Sequence, residues 1–400
     1  MKRGNERKEM RKKIFAATLA AVMSIALLTG CADNGESVGN TSLPSTEEKQ
    51  EASILTETDK ASDQTTEENK RVVIDHRGKE VELPANVERI VITSITPLPS
   101  VYALMGADLS KIVGISESAK SAAQDSILAD IYPEILEIST DFTAGNEVNV
   151  EEILAMDPDV VFFNISSVEE GEKYETAGIP AVAFSTTAGD TPIEIFEGWV
   201  TLLGDVLGTE DRAQEIVAYG EEIITMISER LQETGDSLVK PKVLYIYSYD
   251  DGRVFTTGST HHGERWADAT GAVNVGGGVE TQKYEVTMEQ IYEWNPDIIY
   301  IASTVSFLPK DFYNNSIEGA DWSNIKAVKE GKVYRCPLGT YHWYPPSADS
   351  PLMLVWQAQH NQPELFSDID LEEMTTEYFR RFYQVELTDE TLEKIFNAPR

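Results

Sequence analysis

Three of the five histidines in the chain lie in two short segments, residues 257–266 and 338–346, that also carry aromatic and basic side chains. These segments supply six candidate ligand contacts, namely His261, His262, Arg265, Tyr341, His342 and Trp343. Neutral imidazole is a common ligand of iron, nickel, copper and zinc, and a tyrosine phenolate suits Fe(III). Exposed aromatic rings can stack on a planar macrocycle or a catechol. The two segments therefore predict a site for a metal complex. Four of the side chains could reach the metal through the bound chelate: His261, His262, Tyr341 and His342.

The adjacent pair of His261 and His262 also permits a simpler interpretation. The two side chains could cap a helix that begins near Gly263, or lie on the surface, and the sequence leaves these alternatives open. The remaining histidines are expected to be structural, because His76 falls in a hairpin turn and His360 on a late helix.

From residue 71 onward, short β-rich runs alternate with amphipathic stretches, a pattern typical of parallel α/β sheets. Strands are predicted near residues 72–74, 80–83, 90–92, 111–115, 160–163, 181–184, 242–247, 297–302 and 332–336. Ligands of open α/β sheets bind beyond the carboxyl ends of the strands. This rule adds Thr96 and Tyr249 to the candidate ligand contacts.

Two helices are predicted in the middle of the chain, over residues 191–207 and 209–233. In the second, apolar residues recur at three- and four-residue spacing, so that one face is buried. At 1.5 Å per residue this helix is roughly 37 Å long, which suits a strut between two lobes.

A weak internal repeat links residues 149–161 with residues 286–299. Each copy reads as a short helix that ends before a Pro-Asp step and leads into a strand. Glu151 and Glu289 occupy matching places in the two copies, which predicts two similar lobes.

The first thirty residues have the composition of a secretory leader. Residues 1–13 carry seven basic side chains, and the apolar run that follows is too short to cross a bilayer of about 30 Å. The run ends in Leu28-Thr29-Gly30-Cys31, which resembles the bacterial lipobox, and this resemblance implies a lipid anchor on Cys31. Residues 32–69 are acidic and poor in aromatics, so we expect a flexible tether.

The net charge of −35 excludes some classes of partner. Residues 1–30 carry +5 and residues 32–69 carry −8, which leaves −32 for residues 70–400. A surface this negative repels phosphate backbones, so nucleic acid is not an expected partner. With Cys31 assigned to the anchor, Cys336 has no disulfide partner and is expected to be a buried thiol.

The hairpin at residues 75–83, the two Glu-x-Ile…Pro-Asp segments, the central helix and the tail at residues 354–382 resemble the iron-chelate/cobalamin class of periplasmic binding proteins. The resemblance covers the chain from about residue 72 to residue 396. It implies two Rossmann-like α/β lobes with short parallel sheets, bridged by one long rigid helix, with the ligand in the cleft between them. The implied organisation is a leader (1–30), lipidated Cys31 and tether (31–70), first lobe (71–190), inter-lobe helices (191–238) and second lobe (239–400).

The same resemblance implies a lipid-anchored solute receptor on the extracytoplasmic face of the cell membrane, monomeric, not an enzyme and without a permanent cofactor. It would deliver an iron complex, such as a siderophore or haem, to the permease of an ABC importer; a corrinoid such as cobalamin is the alternative. Trp343 aligns with a cleft tryptophan of the cobalamin-binding members. Glu151 and Glu289 match the glutamates that pair with permease arginines in those relatives.

Two other classes of function remain as alternatives. A surface metallohydrolase could use His261, His262 and Glu264, but the spacing is not H-E-x-x-H, and no Gly-x-Ser-x-Gly elbow or phosphate loop is present. An adhesin or surface lipoprotein without an importer would suit the tether but would leave the internal repeat unexplained.

Overall fold

The structure is a computed structural model that describes residues 70–144, 147–187, 189 and 191–397. Cys31, the leader and the acidic tether lie outside the described residues. Within the described ranges, every helix is too short or too polar to cross a lipid bilayer.

The first lobe begins with the predicted hairpin and continues into a parallel sheet. Its strands are β1 (Lys70–Ile74), β2 (Glu80–Pro84), β3 (Ile90–Ile92), β4 (Ile112–Ile115), β5 (Thr143–Ala144), β6 (Glu147–Val148), β7 (Val160–Asn164) and β8 (Ala181–Phe184). The main sheet has the order β4-β3-β7-β8 with parallel pairing throughout. The flanking helices are α1 (Leu98–Leu104), α2 (Glu117–Asp125), α3 (Leu128–Ile131), α4 (Val150–Ala155) and α5 (Val168–Ala177). The main strands are nearly all apolar because a parallel sheet is covered on both faces.

The turn between β1 and β2 attaches the hairpin to the edge of this sheet. The backbone N–H of Ser185 donates to His76 Nδ1 over 2.9 Å, and that of Ala183 donates to the buried Asp75 carboxylate over 3.2 Å. His76 therefore has the structural role expected of it.

The second lobe repeats the first sheet and adds an antiparallel one. Its strands are β9 (Lys242–Ile246), β10 (Ser248–Asp250), β11 (Arg253–Thr257), β12 (Val273–Asn274), β13 (Lys283–Val286), β14 (Ile298–Ile301) and β15 (Val333–Arg335). The parallel sheet has the order β12-β9-β14-β15, and the antiparallel sheet has the order β10-β11-β13. Only the parallel sheet was predicted. After the linking helices described below, the helices of this lobe are α8 (His262–Ala269), α9 (Met288–Trp294), α10 (Pro309–Tyr313), α11 (Lys326–Lys329) and α12 (Ser350–Asn361).

The internal repeat has a shared structural basis. When the four strands of each parallel sheet are numbered by their order in the chain, both sheets have the spatial order 2-1-3-4. The repeat supplies the third strand of each sheet. The residue before each Pro-Asp step, Asp157 or Asn295, has a positive φ of 48° or 42°, which ends the short helix. The aspartate then accepts a backbone N–H at the start of the neighbouring first strand: Asp159 from Arg89 over 2.9 Å, and Asp297 from Lys242 over 2.8 Å.

Two helices, α6 (Pro192–Leu207) and α7 (Glu210–Glu233), link the lobes and lie within a few residues of the predicted bounds. They form an antiparallel hairpin around Gly208, whose φ is 68°. A Cβ at Gly204 would come within 2.6 Å of the Ala213 side chain, so this glycine allows the two helices to pack closely. Near the start of α7, Arg212 donates to the carbonyl of Leu104 in the first lobe, and the rest of the helix packs on α12 and α8 of the second. The long helix therefore bridges the lobes as predicted.

The C-terminal segment returns to the first lobe. It comprises α13 (Leu371–Tyr378), a π-helical turn (Phe379–Tyr383) and α14 (Asp389–Phe396). The Tyr132 hydroxyl donates to the Tyr383 carbonyl over 3.1 Å, and Lys394 forms an ion pair with Asp130. The Ile395 carbonyl of this segment also accepts a hydrogen bond from the backbone N–H of Leu338 over 3.0 Å. We refer to residues 362–397 as the return segment, because they contact both lobes.

Candidate functional site

The two segments singled out in the sequence follow strands of the second lobe and meet the first. Residues 258–261 connect β11 to α8, and residues 336–349 connect β15 to α12. The second connection contacts the first lobe directly, since Ile127 N–H donates to the Gly339 carbonyl and the Ser126 hydroxyl to the Thr340 carbonyl, each over 3.1 Å. The predicted strand-end loops therefore lie where the two lobes meet.

Four rings at the start of α8 form what we call the imidazole cluster: Tyr247, His261, His262 and Tyr344. The His261 ring is 4.9 Å from Tyr247 and 4.7 Å from His262, centroid to centroid, and lies nearly parallel to Tyr344 at 5.8 Å. The Tyr344 hydroxyl is 3.4 Å from His261 Nδ1. His261 occupies the N-cap position of α8, but its side chain makes no capping hydrogen bond. The capping interpretation of His261 is therefore wrong.

Both imidazoles of the cluster are held neutral. Burial, with smaller contributions from the positive charges of Arg265 and Lys283, lowers the pKa of His261 to about 4. Burial, followed by His261 and Arg265, lowers the pKa of His262 to about 3. His262 Nδ1 is buried and makes no hydrogen bond to any residue that the structure describes. At neutral pH each ring therefore offers one N–H donor and one acceptor nitrogen.

Arg265 and Lys283, which we call the cation pair, lie beside the imidazole cluster. Arg265 is on the first turns of α8 and donates to the Gly189 carbonyl over 2.8 Å. Lys283 begins β13, and its Nζ lies 5.4 Å from the centre of the Tyr247 ring. Arg253, at the start of β11 in the same lobe, is instead ion-paired with Asp250 and Glu285. In the described contacts, the cation pair has no carboxylate partner. It thus places positive charge next to the histidines, in a protein whose net charge is strongly negative.

Tyr341 joins the site to the first lobe. Its side chain lies close to that of Thr96, so the structure brings these two candidates together. Burial, with the nearby Tyr247, raises the pKa of Tyr341 to about 12. Tyr341 is therefore a neutral phenol, which suits a hydrogen bond to a solute better than phenolate ligation of a metal.

His342 lies next to Tyr341 and faces the end of β14. Its Nδ1 is 2.7 Å from the Ser303 hydroxyl, and burial lowers its pKa. The ring is partly exposed, so it remains accessible as a candidate contact.

Two candidates are placed differently from expectation. Trp343 is 0% exposed and packs edge-on against Phe396 of the return segment at 5.7 Å, so the prediction of an exposed ring that stacks on the solute is wrong. Tyr249 contacts Phe307 at 4.6 Å, and its hydroxyl donates to the Glu318 carbonyl. These contacts tie Tyr249 to the loop after β14 rather than to the imidazole cluster.

The sequence did not identify three members of the site: Tyr247, Lys283 and Tyr344. Tyr344 lies in the segment 338–346 that the sequence singled out, and Tyr247 ends the predicted strand 242–247, so both could have been found by the strand-end rule. Lys283 reaches the site because β13 pairs with β11, where Lys283 lies opposite Thr257. That pairing had no signal in the sequence.

Direct metal ligation finds limited support in this geometry. Among the described residues, no group of three or more His, Cys, Asp or Glu side chains could hold a metal ion. Cys336 is a buried free thiol, as expected, and burial raises its pKa.

Glu151 and Glu289 occupy the same position in the two repeats. Each is exposed in the first turn of a short helix, α4 or α9. Asn149 caps the first helix and Thr287 caps the second. The pKa of Glu289 is lowered by its own backbone N–H and by the Thr287 side chain.

The chain matches the family model described as "Periplasmic binding protein" over residues 90–338. A periplasmic solute binding protein from Veillonella parvula has a similar crystal structure, with a TM-score of 0.75, 32% identity and coverage of 82% of this chain and 97% of that one. The molybdate-binding protein MolA of Haemophilus influenzae is 28% identical over 78% of this chain and 91% of its own length. The Fe(3+)-citrate-binding protein YfmC of Bacillus subtilis is 23% identical over 82% of this chain and 92% of its own. Together with the two-lobe fold, these matches show that the chain belongs to the periplasmic binding protein family.

Proposed function

We propose that this chain is the solute-binding protein of an ABC importer and that its solute is a metal-containing anion. The observation that carries the proposal is the cation pair beside the imidazole cluster. Two fixed positive charges, two neutral imidazoles and the Tyr341 phenol could together neutralise and hydrogen-bond an anion. A protein with a net charge of −35 repels anions at long range, so a site for one needs local cations of this kind.

The iron complexes expected from the sequence, a ferric siderophore or haem, fit this proposal where the complex is anionic. The corrinoid alternative is less well matched, because cyanocobalamin has no net charge for the cation pair to neutralise. Burial of Trp343 also removes the ring on which a corrinoid was expected to stack.

A metal oxyanion is the second candidate. The names of MolA and YfmC give molybdate and ferric citrate as the ligands of those two proteins. Both are metal-containing anions, although they differ in size and shape. The similarity to MolA favours an oxyanion and the similarity to YfmC favours an iron chelate, and the same cation pair could serve either.

Isothermal titration calorimetry of residues 70–400 tests the proposal. The probes are molybdate, ferric citrate, an anionic ferric catecholate and haem, with sulfate, iron-free citrate and cyanocobalamin as controls. We expect one of the metal-containing anions to bind with a Kd in the micromolar range or tighter and to be recovered unchanged. Tighter binding of cyanocobalamin than of every anion would overturn the proposal, and chemical conversion of the probe would favour the metallohydrolase.

We also propose that Glu151 and Glu289 dock the protein on its permease. Their exposure at matching positions of two similar lobes suits two symmetric permease subunits, each presenting an arginine. The Glu151→Ala/Glu289→Ala double variant should keep its solute affinity and lose uptake. Glu152→Ala/Glu293→Ala is the matched control, since these glutamates are exposed on the same two helices. Equal uptake by the two double variants would argue against docking at Glu151 and Glu289.

Finally, we propose that lipid on Cys31 anchors the protein at the extracytoplasmic face of the membrane. Cys31 lies outside the described residues, so the proposal depends on the sequence resemblance alone. Mass spectrometry of the mature protein should find an acylated N-terminal cysteine, and Cys31→Ser should abolish the modification. A mature chain that begins elsewhere, without lipid, would contradict the anchor.

A further inference from the structure

Asp349 is a fully buried carboxylate that faces the loop bearing Tyr341. Its Oδ2 accepts hydrogen bonds from the Thr340 backbone N–H over 2.8 Å and from the Thr340 hydroxyl over 3.1 Å. A Cβ at Gly339 would collide with both Asp349 and the Trp343 indole, so the loop closes tightly around this carboxylate. Asp349 thus holds the backbone at Thr340, directly before Tyr341.

The loop held by Asp349 connects the second lobe to the first. Its Gly339 and Thr340 carbonyls accept hydrogen bonds from Ile127 and Ser126 of the first lobe. Its Tyr341 side chain reaches Thr96. A shift of this backbone would therefore move Tyr341 relative to the cation pair and to the first lobe.

Among the described residues, Asp349 makes neither a helix cap nor an ion pair, two contacts by which a buried carboxylate can stabilise a fold. Asp349 occupies the N-cap position of α12, yet its side chain makes no capping hydrogen bond. The residues packed around it from the return segment are Tyr378 and Tyr383, which burial keeps as neutral phenols, and they bond to Ala348 and Thr340 rather than to the carboxylate. No Lys, Arg or His forms an ion pair with Asp349 among the described residues. Burial of a carboxyl group without a cation opposes folding, and it raises the pKa of Asp349 to about 6.

We infer that Asp349 is a positioning residue for solute binding: its carboxylate fixes the backbone at Thr340 so that the next residue, Tyr341, presents its hydroxyl at the cleft. The inference deepens the proposed function and rests on it for the identity of the solute. Asp349 touches no solute in this arrangement and acts through Tyr341.

Asp349→Asn tests the inference with little change in volume. An amide oxygen can still accept from Thr340, but without the negative charge that strengthens these hydrogen bonds, so the loop loses part of its support. We expect at least a tenfold weaker affinity for molybdate or ferric citrate, whichever the wild type binds, with a melting temperature unchanged or raised. Unchanged affinity would overturn the inference.

A double-mutant cycle with Tyr341→Phe separates positioning from general damage. If Asp349 acts through the Tyr341 hydroxyl, Asp349→Asn should weaken binding by less than twofold when Phe is already present at position 341. If the fold-losses of affinity caused by the two substitutions multiplied fully in the double variant, Asp349 would act independently of Tyr341, and this would contradict the inference.

Hydrogen exchange of the solute-free protein makes the test independent of the solute. The amide of Thr340 should exchange at least tenfold faster in Asp349→Asn than in the wild type, and equal protection would refute the positioning role. Absence of binding by the wild type to any probe would refute the proposed solute instead, leaving the exchange result to decide the role of Asp349.

Should Asp349→Asn fail to fold, Thr340→Val replaces it, because it removes the hydroxyl that donates to Asp349. Thr340→Ser is the matched control, since serine keeps that hydroxyl. We expect Thr340→Ser to retain the affinity that Thr340→Val loses, and equal affinities in the two variants would contradict the inference.

Discussion

The two lobes share a strand order and differ in the chemistry that they bring to the cleft. At the carboxyl ends of β3 and β7, the first lobe carries hydroxyl and amide side chains, including Ser94, Thr96 and Asn164. The second lobe presents the imidazole cluster and the cation pair. The second lobe also has the antiparallel sheet, which places Lys283 opposite Thr257. One repeated framework thus carries different side chains at its two sets of strand ends, and we expect the second lobe to contribute most to selection of an anionic solute.

Removing a charge from the second lobe should have the largest effect on binding. A hydrogen bond to a charged group is worth about 1.5–3 kcal/mol, so Arg265→Gln should weaken anion binding by roughly 10- to 150-fold. Calorimetry measures the change. Arg253→Gln is the matched control, because Arg253 is in the same lobe but paired with Asp250 and Glu285. Equal losses of anion affinity in Arg265→Gln and Arg253→Gln would indicate that Arg265 attracts the anion at long range rather than contacting it.

Acid should destabilise the second lobe before the first. The folded-state pKa values of His261 and His262, about 4 and about 3, are below the unfolded value of 6.5, so the unfolded chain binds more protons below pH 6.5. Stability should therefore fall as the pH drops from 6.5 towards 4, by up to about 1.4 kcal/mol per pH unit for each histidine.

Thermal unfolding of the wild type and of His261→Gln/His262→Gln at pH 7.5 and pH 5 measures this effect. The double variant should lose less stability between the two pH values than the wild type does. An identical loss would mean that other groups dominate the acid response.

A change in the first lobe should have a smaller effect. Thr96→Val removes the hydroxyl that lies beside Tyr341, and a neutral hydrogen bond from that hydroxyl to the solute is worth about 0.5–1.5 kcal/mol, so affinity should fall by roughly 2- to 12-fold. Thr96→Ser keeps the hydroxyl and should bind within twofold of the wild type. If Thr96→Val lost as much solute affinity as Arg265→Gln, the expectation that the second lobe contributes most to binding would be refuted.

Movement of the lobes should be the smallest effect of all. The continuous helix α7 and the return segment both connect the lobes, and a continuous helix resists bending more than a loop hinge does. Small-angle scattering with and without bound solute should give nearly the same radius of gyration. A contraction of several Å on binding would show that the lobes close around the solute.

Local sequence signals were sufficient for the framework. The bounds of α6 and α7 followed from helical periodicity and from Gly208, and the repeat followed from its Pro-Asp steps, because each depends on neighbouring residues. The histidines of the imidazole cluster were found because residue type and strand-end position coincide there.

Long-range packing decided what the sequence could not predict. Trp343 was expected in the cleft but is covered by Phe396, a residue more than fifty positions later in the chain. Lys283 enters the site through strand pairing, and Asp349 is significant only because the loop at Gly339 folds around it. Patterns in a short window carry no information about such contacts.

The return segment has a consequence for how the molecule is made. Contacts such as Asp130 with Lys394, 264 residues apart, can form only after nearly the whole chain has been synthesised. The first lobe can assemble its own sheet earlier, but its helix α3, which carries Asp130, gains this contact only after the C-terminal residues have been synthesised. Pairings this distant in sequence slow folding, because a long loop must close before they form. A chain shortened by a few dozen residues at its C-terminus would leave Trp343 uncovered and the joint between the lobes open to proteases.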